Sequence, residues 1–359
     1  MESLVKIIKS FKGKRVLITG HTGFKGSWLT LWLSELGARI TGISLDPQNP
    51  SATYYAMNIK DICNDLRHDI NDYTGLLSII NQTKPEIVFH LAAQPLVLDS
   101  YNDPLYTFNT NIIGTANVLE ACRQTDSVKA VTIITSDKCY WNSDSGVAFV
   151  ETDRLGGEDP YSSSKASAEI VAHAYHKSFY SAKGIGLATA RAGNVIGGGD
   201  WSDNRIIPDC IRGLINGKPI EIRNPLSVRP WQHVLEPLVG YLLLTYKLFL
   251  NPEKYSGAWN FGPRFEGHRT VNEIVEELIL NWGQGKYIIN IGNEKFREAQ
   301  FLNLNTNKAR TILGWQPVLT FGTSVKLTSD WYNAQINFEN MKEFSLLQIR
   351  FYESLMKNS

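Results

Sequence analysis

Tyr161-Ser-Ser-Ser-Lys165 sets a phenol and an ammonium one helical turn apart. On a helix that opens here and runs toward Ser181, positions i and i+4 share one face. The ammonium stabilises the phenolate, which lets a tyrosine accept a proton well below its ordinary pKa of roughly 10. A tyrosine and a lysine at this spacing are commonplace on ordinary helix surfaces. Ser136 changes the reading, because it follows a short apolar run of strand length, Ala130–Thr135. Open α/β sheets place their ligands at strand C-termini. Hydroxyl, phenol and ammonium in that order suggest oxidation of a secondary alcohol beside a nicotinamide.

A dinucleotide needs a cradle, and ITGHTGFKGSWL sets Gly20, Gly23 and Gly26 after the strand-length run Lys14–Thr19. Glycines let the backbone turn tightly and approach a pyrophosphate with no Cβ in the way. The N–H groups and dipole of the following helix favour the anion. Glycines also simply make turns. The strand before them, and an amphipathic helix after them on Trp28, Leu29, Leu31, Trp32, Leu33 and Leu36, favour the nucleotide reading. The fingerprint carries an acidic residue about 20 positions on, to hold the ribose. Ser44 stands near that place, with Asp46 beyond it and no arginine between Ser44 and Ser51. A 2′-phosphate therefore finds no guanidinium partner there. The expected cofactor is NAD, with a ribose contact weaker than usual.

These groups must be carried by alternating elements. Strands are predicted at Lys14–Thr19, Arg39–Ser44, near Ile62–His68, at Glu86–Leu91 and at Ala130–Thr135, and helices across Tyr73–Gln82 and Tyr106–Gln124. Continuous apolar strands alternating with helices imply a parallel sheet covered on both faces. From Val195 the rhythm changes to loops and shorter elements rich in Gly and Pro. Gly197–Gly199 lacks a helix start directly after it and reads as a mobile loop on the substrate side rather than a second phosphate cradle. The fold class is α/β: a doubly wound parallel sheet followed by a smaller, mixed C-terminal domain.

Composition narrows the partners. The 359 residues are 43% hydrophobic and carry 36 Lys+Arg against 35 Asp+Glu, a formal net charge of +1. That balance, with no long run of like charge, argues against nucleic acid as a partner. Leu238–Leu250 is the most apolar stretch; Lys247 interrupts it, and it is shorter than the roughly 20 residues a membrane span needs. Lys6 and Lys9 break the apolar positions of the N-terminal stretch, so no signal-peptide core is expected there. Cys63, Cys122, Cys139 and Cys210 are far apart and read as reduced thiols, which fits a cytoplasmic protein. His173 and His176 have no third ligand spaced with them, so no metal site is expected.

With these motifs in view, the sequence resembles the extended short-chain dehydrogenase/reductase family over nearly its whole length. The matching runs are Thr19–Gly26 (TGHTGFKG), His68–Ile70, His90–Gln94, Asn109–Thr115, the Tyr161–Lys165 run, Arg191–Trp201 and Asn307–Pro317. Within the family it is similar to the sugar-nucleotide 4,6-dehydratases, which carry Thr-Asp-Glu where this chain has Ser136-Asp137-Lys138. The lysine, together with GFKGSWLTLWLSELGA and RPWQHVLEP, resembles the members that act on CDP-glucose. The resemblance implies a Rossmann-like NAD-binding domain over residues 1–194, rejoined by part of 234–262, and a mainly nucleotide-sugar-binding domain over 195–359. It also implies that Thr22, Phe24 and Lys25 join the glycines at the pyrophosphate, that Asp69 and Ile70 hold the adenine, and that Leu91, Ala92 and Ala93 pack on the dinucleotide. Asn111 is a further cofactor candidate, or a bridge between backbone groups. Asn194, Arg205 and Arg229 match positions that hold the nucleotide diphosphate, and Arg264 is a further candidate there. A homodimer or higher homo-oligomer is implied, paired through two long helices per subunit, here Tyr106–Gln124 and Tyr161–Ser181.

The implied reaction begins with Tyr161, aided by Ser136 and Lys165, taking the proton of the glucose 4-hydroxyl as C4 gives hydride to NAD. Asp137, if protonated, donates to the departing 6-hydroxyl, and hydride returns to C6 so that no cofactor is consumed. Lys138 is the departure from the pattern. It acts as the C5 base if neutral, stabilises the enolate if charged, or merely neutralises Asp137. The product would feed deoxy- and dideoxy-sugar synthesis for lipopolysaccharide O-antigen. Three alternatives stay open: a nucleotide-sugar 4-epimerase or oxidoreductase, which needs no acid at Asp137, a dehydratase for a different NDP-glucose, and an NAD-binding protein without chemistry.

Overall fold

A computed structural model describes residues 9–47, 49–142, 144, 146–264, 267–290 and 302–357; the stretch preceding residue 9 lies outside them. Seven strands form one parallel sheet: β1 (Arg15–Thr19), β2 (Arg39–Ser44), β3 (Asn64–Arg67), β4 (Ile87–His90), β5 (Ala130–Ile134), β6 (Gly186–Ala192) and a late edge strand at Gly257–Phe261. Their spatial order is late edge strand, β6, β5, β4, β1, β2, β3. The chain runs outward from β1 to β3, then resumes at β4 on the other side of β1. That reversal opens a crevice beyond the strand C-termini, between β1 and β4.

Alternation along each strand sends neighbours to opposite faces. Val16, Ile18, Ile87 and Phe89 enter one core with helix α1 (Phe24–Glu35) and the helix Leu235–Leu250. Leu17, Val88, Val131 and Ile133 enter the other with the helices Tyr73–Thr83 and Gly114–Arg123. Every residue of β5 and β6 is buried, the pattern of central parallel strands covered on both sides.

The helix after the glycine turn departs from expectation. It is buried from Gly26 through Leu33 rather than along one stripe. The final helix, Met341–Lys357, covers its outer face: Trp32 Nε1 donates to Glu353 at 2.9 Å, and Trp32 meets Tyr352 edge-on. A helix that is apolar all round is one with partners on all sides. The long helix expected over Tyr106–Gln124 is Pro104–Phe108, a π-turn at Asn109–Ile113 and Gly114–Arg123.

Beyond β6 the strands are short. Val195–Ile196 pairs with Gln232–His233, Val228–Pro230 with His268–Thr270, and Ile220–Ile222 with Tyr287–Ile289. Helices Ile206–Ile215, Val271–Trp282 and Phe321–Ile336 complete this part. Gly197–Gly199 is a packed turn, contrary to the mobile loop expected. Trp28 Nε1 donates to the Gly198 carbonyl at 3.0 Å, and a Cβ on Gly198 would meet the Trp331 ring at 2.0 Å. Among the described residues no helix is long and apolar enough to cross a membrane.

The turn between β1 and α1 is closed on itself: a Cβ at Gly26 would lie 2.0 Å from the Gly20 carbonyl oxygen. Gly26→Ala is therefore expected to lose about 1–3 kcal/mol of unfolding free energy, the usual cost of overpacking, in a urea titration. An unchanged midpoint would contradict this packing.

Candidate active site

A cleft of about 940 Å³ lies beyond the C-termini of β1, β4, β5 and β6. Its walls bring together Ser136, Asp137, Lys138, Tyr161, Lys165, Lys25, Asn194, Arg205 and Arg229.

Local signals explain how the reactive groups arrive. Asp159 caps the helix Pro160–Tyr175, accepting from Ser162 N at 2.9 Å, and Pro160 supplies a preset first turn. Tyr161 and Lys165 then face the sheet, both buried. Ser136 caps a single 3-10 turn after β5, accepting from Lys138 N at 3.2 Å, and its hydroxyl donates to Asp137 Oδ1 at 3.0 Å. Asp137 Oδ2 is buried, with no hydrogen-bond partner among the described residues. Lys138 is half-buried on the cleft wall.

The electrostatics qualify one expectation. Burial pushes the Tyr161 phenol up to about 12, while Ser136 and Arg205 pull it down. Lys165 is not among the leading influences on the neutral phenol; its ammonium donates to the Ile134 carbonyl at 3.5 Å. Burial also lowers Lys165 to about 8, against the opposing pull of Glu169. Lys25 is brought down to about 8 by burial and by Arg205 and Lys165. Two amines whose pKa values are lowered by burial thus line one cleft.

The cradle fits a dinucleotide. Gly20 has a left-handed φ of 78°, and a Cβ there would meet Ala92 N at 2.6 Å. Gly23 is exposed at the N-cap of α1 without a side-chain cap, which leaves the first-turn N–H groups for an anion. Phe24 lines the cleft with Leu91 and Ala93. Leu91 N donates to the Thr19 carbonyl at 3.0 Å, fixing that loop against β1. Thr22 and Ser44 hydroxyls lie 2.7 Å apart and close the far corner. Asp69 accepts from Asn71 N, and Ile70 is buried against Gly114.

Three candidates look different in place. Asn111 donates to the Gln94 carbonyl and to Ser164 Oγ and accepts from Gln94 N, so its amide bridges two segments instead of facing the cleft. Arg264 does not line the cleft; its Nε donates to the Pro317 carbonyl at 3.0 Å beside a separate, small cavity. At the ribose corner, Asp46 receives Arg67 Nε at 2.5 Å, so a guanidinium does stand there. It comes from β3, whose Arg67 is in register with Ser44 of β2. Arg67 also donates to Asp65 at 2.5 Å and to Tyr54 OH at 2.7 Å.

On the substrate side, Arg205 donates to buried Asp200 at 2.9 Å and to the Pro95 carbonyl, which orients its fork into the cleft. Arg229 is buried, and Asn194 Oδ1 has no partner among the described residues. Sequence reasoning missed Asp200, Arg67 and Glu169. The last is legible as one further helical turn on the Tyr161–Lys165 face.

A family model described as GDP-mannose 4,6 dehydratase matches residues 17–328. The CDP-glucose 4,6-dehydratase of Salmonella typhimurium is 46% identical over 358 residues, covering 97% of this chain and 99% of that protein. Among solved structures, an epimerase of Methanothermobacter thermautotrophicus superposes with a TM-score of 0.79 at 22% identity, covering 93% of this chain and 96% of that one. The dTDP-glucose 4,6-dehydratase of Bacillus anthracis, in complex with NAD, gives 0.76 at 22% identity, covering 92% and 100%. With a reactive cleft, a glycine cradle and matches of this extent, the chain belongs to the GDP-mannose 4,6 dehydratase family, the sugar-nucleotide dehydratase branch of the extended short-chain dehydrogenases/reductases.

Proposed function

We propose that this chain is a hydro-lyase that converts CDP-D-glucose to CDP-4-dehydro-6-deoxy-D-glucose with bound NAD. The observation that carries the reading is Asp137, buried in the same cleft as Tyr161 and Lys165 with one carboxylate oxygen unpartnered. Epimerisation needs no acid at that place, and loss of the 6-hydroxyl does. The Salmonella relative supports the choice of substrate.

The residues of the glycine turn, with Ser44, Asp46, Asp69 and Ile70, would hold the dinucleotide. When bound, NAD would supply the hydride acceptor for C4 oxidation. Tyr161 takes the proton of the 4-hydroxyl, and Ser136 and Lys165 stabilise the phenolate. Asp137 delivers a proton to the departing 6-hydroxyl. Lys138 serves the C5 position, as base or as the cation that steadies the enolate. Asn194, Arg205 and Arg229 hold the diphosphate, for which guanidinium forks are suited. Residues 1–194, with part of 234–262, form the cofactor domain in this reading, and 195–359 the substrate domain. Leu105, Ile113 and Ile170 are 75%, 50% and 59% exposed on the helices at 104–123 and 160–175, which supports pairing of two copies through those helices.

Incubation with CDP-, dTDP-, GDP- and UDP-glucose, followed by mass spectrometry, is expected to show water loss fastest from CDP-glucose. Preference for another nucleotide would overturn the substrate. Tyr161→Phe is expected to lose at least about 10²-fold in turnover while still binding CDP-glucose. Asp137→Asn should still oxidise C4 but stall as bound NADH and a 4-keto sugar that retains its 6-hydroxyl; normal dehydration by that variant would exclude Asp137 as the acid.

NAD should support turnover in preference to NADP, because Asp46 and Asp65 neutralise the Arg67 guanidinium. Asp46→Asn removes one of those charges, and the NAD-over-NADP ratio of kcat/KM is expected to narrow by about tenfold. An unchanged ratio would place Arg67 out of reach of the ribose 2′ position.

A further inference from the structure

We propose that Glu169 is a positioning residue of the reaction, holding Lys165 in its ammonium form from behind and locking the turn that carries Ser136, Asp137 and Lys138. The proposal rests on the role given to Lys165 above.

Tyr161, Lys165 and Glu169 fall at successive i+4 positions on the buried face of one helix. Glu169 is 4% exposed. Its Oε1 accepts from Thr135 Oγ1 at 2.5 Å, and its Oε2 from Thr189 Oγ1 and Arg191 Nη2, both at 2.7 Å. Thr135 directly precedes Ser136, so the carboxylate grips the chain where the reactive turn begins. Thr189 and Arg191 lie on β6, which ties the catalytic helix to two adjacent strands.

Arg191 extends the hold. Its Nη1 donates to Tyr140 OH at 2.6 Å and to the Glu151 carbonyl at 3.1 Å. Tyr140 OH donates to Asn260 Oδ1 at 2.8 Å, and Tyr140 ends the same turn that Ser136 opens. Both ends of the Ser136–Tyr140 segment are therefore anchored to one buried ion pair. A surface ion pair adds little, but a buried one whose carboxylate is hydrogen-bonded fixes geometry; Glu169 takes three donors, while Arg191 Nε has no partner among the described residues.

The charge matters as well as the shape. The charged and titratable groups that couple to Lys165 are Glu169 on its own helix, Cys139 in the turn, His90 on β4 and Lys25 on α1, and Tyr161, Asp137, Tyr140 and Arg205 line the same cleft. Burial keeps His90 neutral, lowering it to about 3. Desolvation drives the Lys165 ammonium toward its neutral form, and Glu169 is the largest influence in the opposite direction. A neutral Lys165 cannot stabilise a phenolate. Lys165 must hold its proton to act, so activity declines as pH rises through its folded pKa, and removing the Glu169 charge moves that decline to lower pH.

The test is the pH profile of kcat/KM for CDP-glucose with Glu169→Gln, which keeps the shape and a hydrogen-bonding amide. The alkaline limb is expected to move down by about one pH unit, so that the variant falls about fivefold below the wild type at pH 8 and less than about 1.5-fold below it at pH 6.5. A limb in the wild-type position, even with uniformly lower rates or a lower melting temperature, would make Glu169 structural only and overturn the proposal. Glu169→Asp retracts the charge without removing it and should move the limb in the same direction by less. If the glutamine variant does not fold, a superimposable limb in the aspartate variant overturns the proposal, and a displaced limb supports it. Absence of wild-type turnover with CDP-glucose would instead defeat the substrate reading; an unmoved limb on an active enzyme defeats this inference alone.

Discussion

The chemistry of this cleft depends on a carboxylate and a guanidinium buried behind it. Glu169 and Arg191 are 4% and 2% exposed and 2.7 Å apart, and between them they engage the ends of β5 and β6, the turn at Tyr140 and, through Asn260, the late edge strand. Burying two charges is costly unless they are paired and otherwise hydrogen-bonded. Glu169 meets that condition with three donors. The result is a rigid polar floor under the site, so that Ser136, Asp137 and Tyr161 project from backbone that has little freedom to relax.

The remaining architecture serves to bring the two nucleotides to that floor. The reversal of strand order between β1 and β4 opens the crevice, and Thr19 Oγ1 and His90 Nδ1, 2.7 Å apart, join the two strands at its edge. His90 also reaches Thr115 at 3.0 Å, which draws the next helix onto the same point. The chain after β6 lays Arg205, Arg229 and Asn194 on the opposite wall. Its final helix returns to cover α1, through Trp32–Glu353 and Arg350–Glu35.

Patterns local in sequence are legible in the sequence itself. Strand-length apolar runs located β1, β2, β4 and β5 to within a residue at each end, and the glycine turn and the Tyr161–Lys165 pair became informative once set beside the strands that precede them. Features that depend on contacts between distant segments were not. Arg67 reaches Asp46 only because β2 and β3 are in parallel register, a contact that the residues flanking Ser44 do not carry. The outer face of α1 reads as surface until the final helix is packed on it. Gly197–Gly199 reads as slack until Trp28 and Trp331 are seen against it. The Tyr161 phenol was expected low from its lysine neighbour; burial, a property of the whole fold, raises it instead.

The central claim is that one cleft oxidises and then reduces the same sugar, with the protein's acids and bases acting between the two events. CDP-glucose carrying deuterium at C4, mixed with unlabelled CDP-glucose, tests it directly. The account predicts that the 4-keto-6-deoxy product retains the deuterium at C6 of the molecule that supplied it, with no net release of NADH. Label exchanged between sugar molecules, or NADH released in proportion to product, would contradict it.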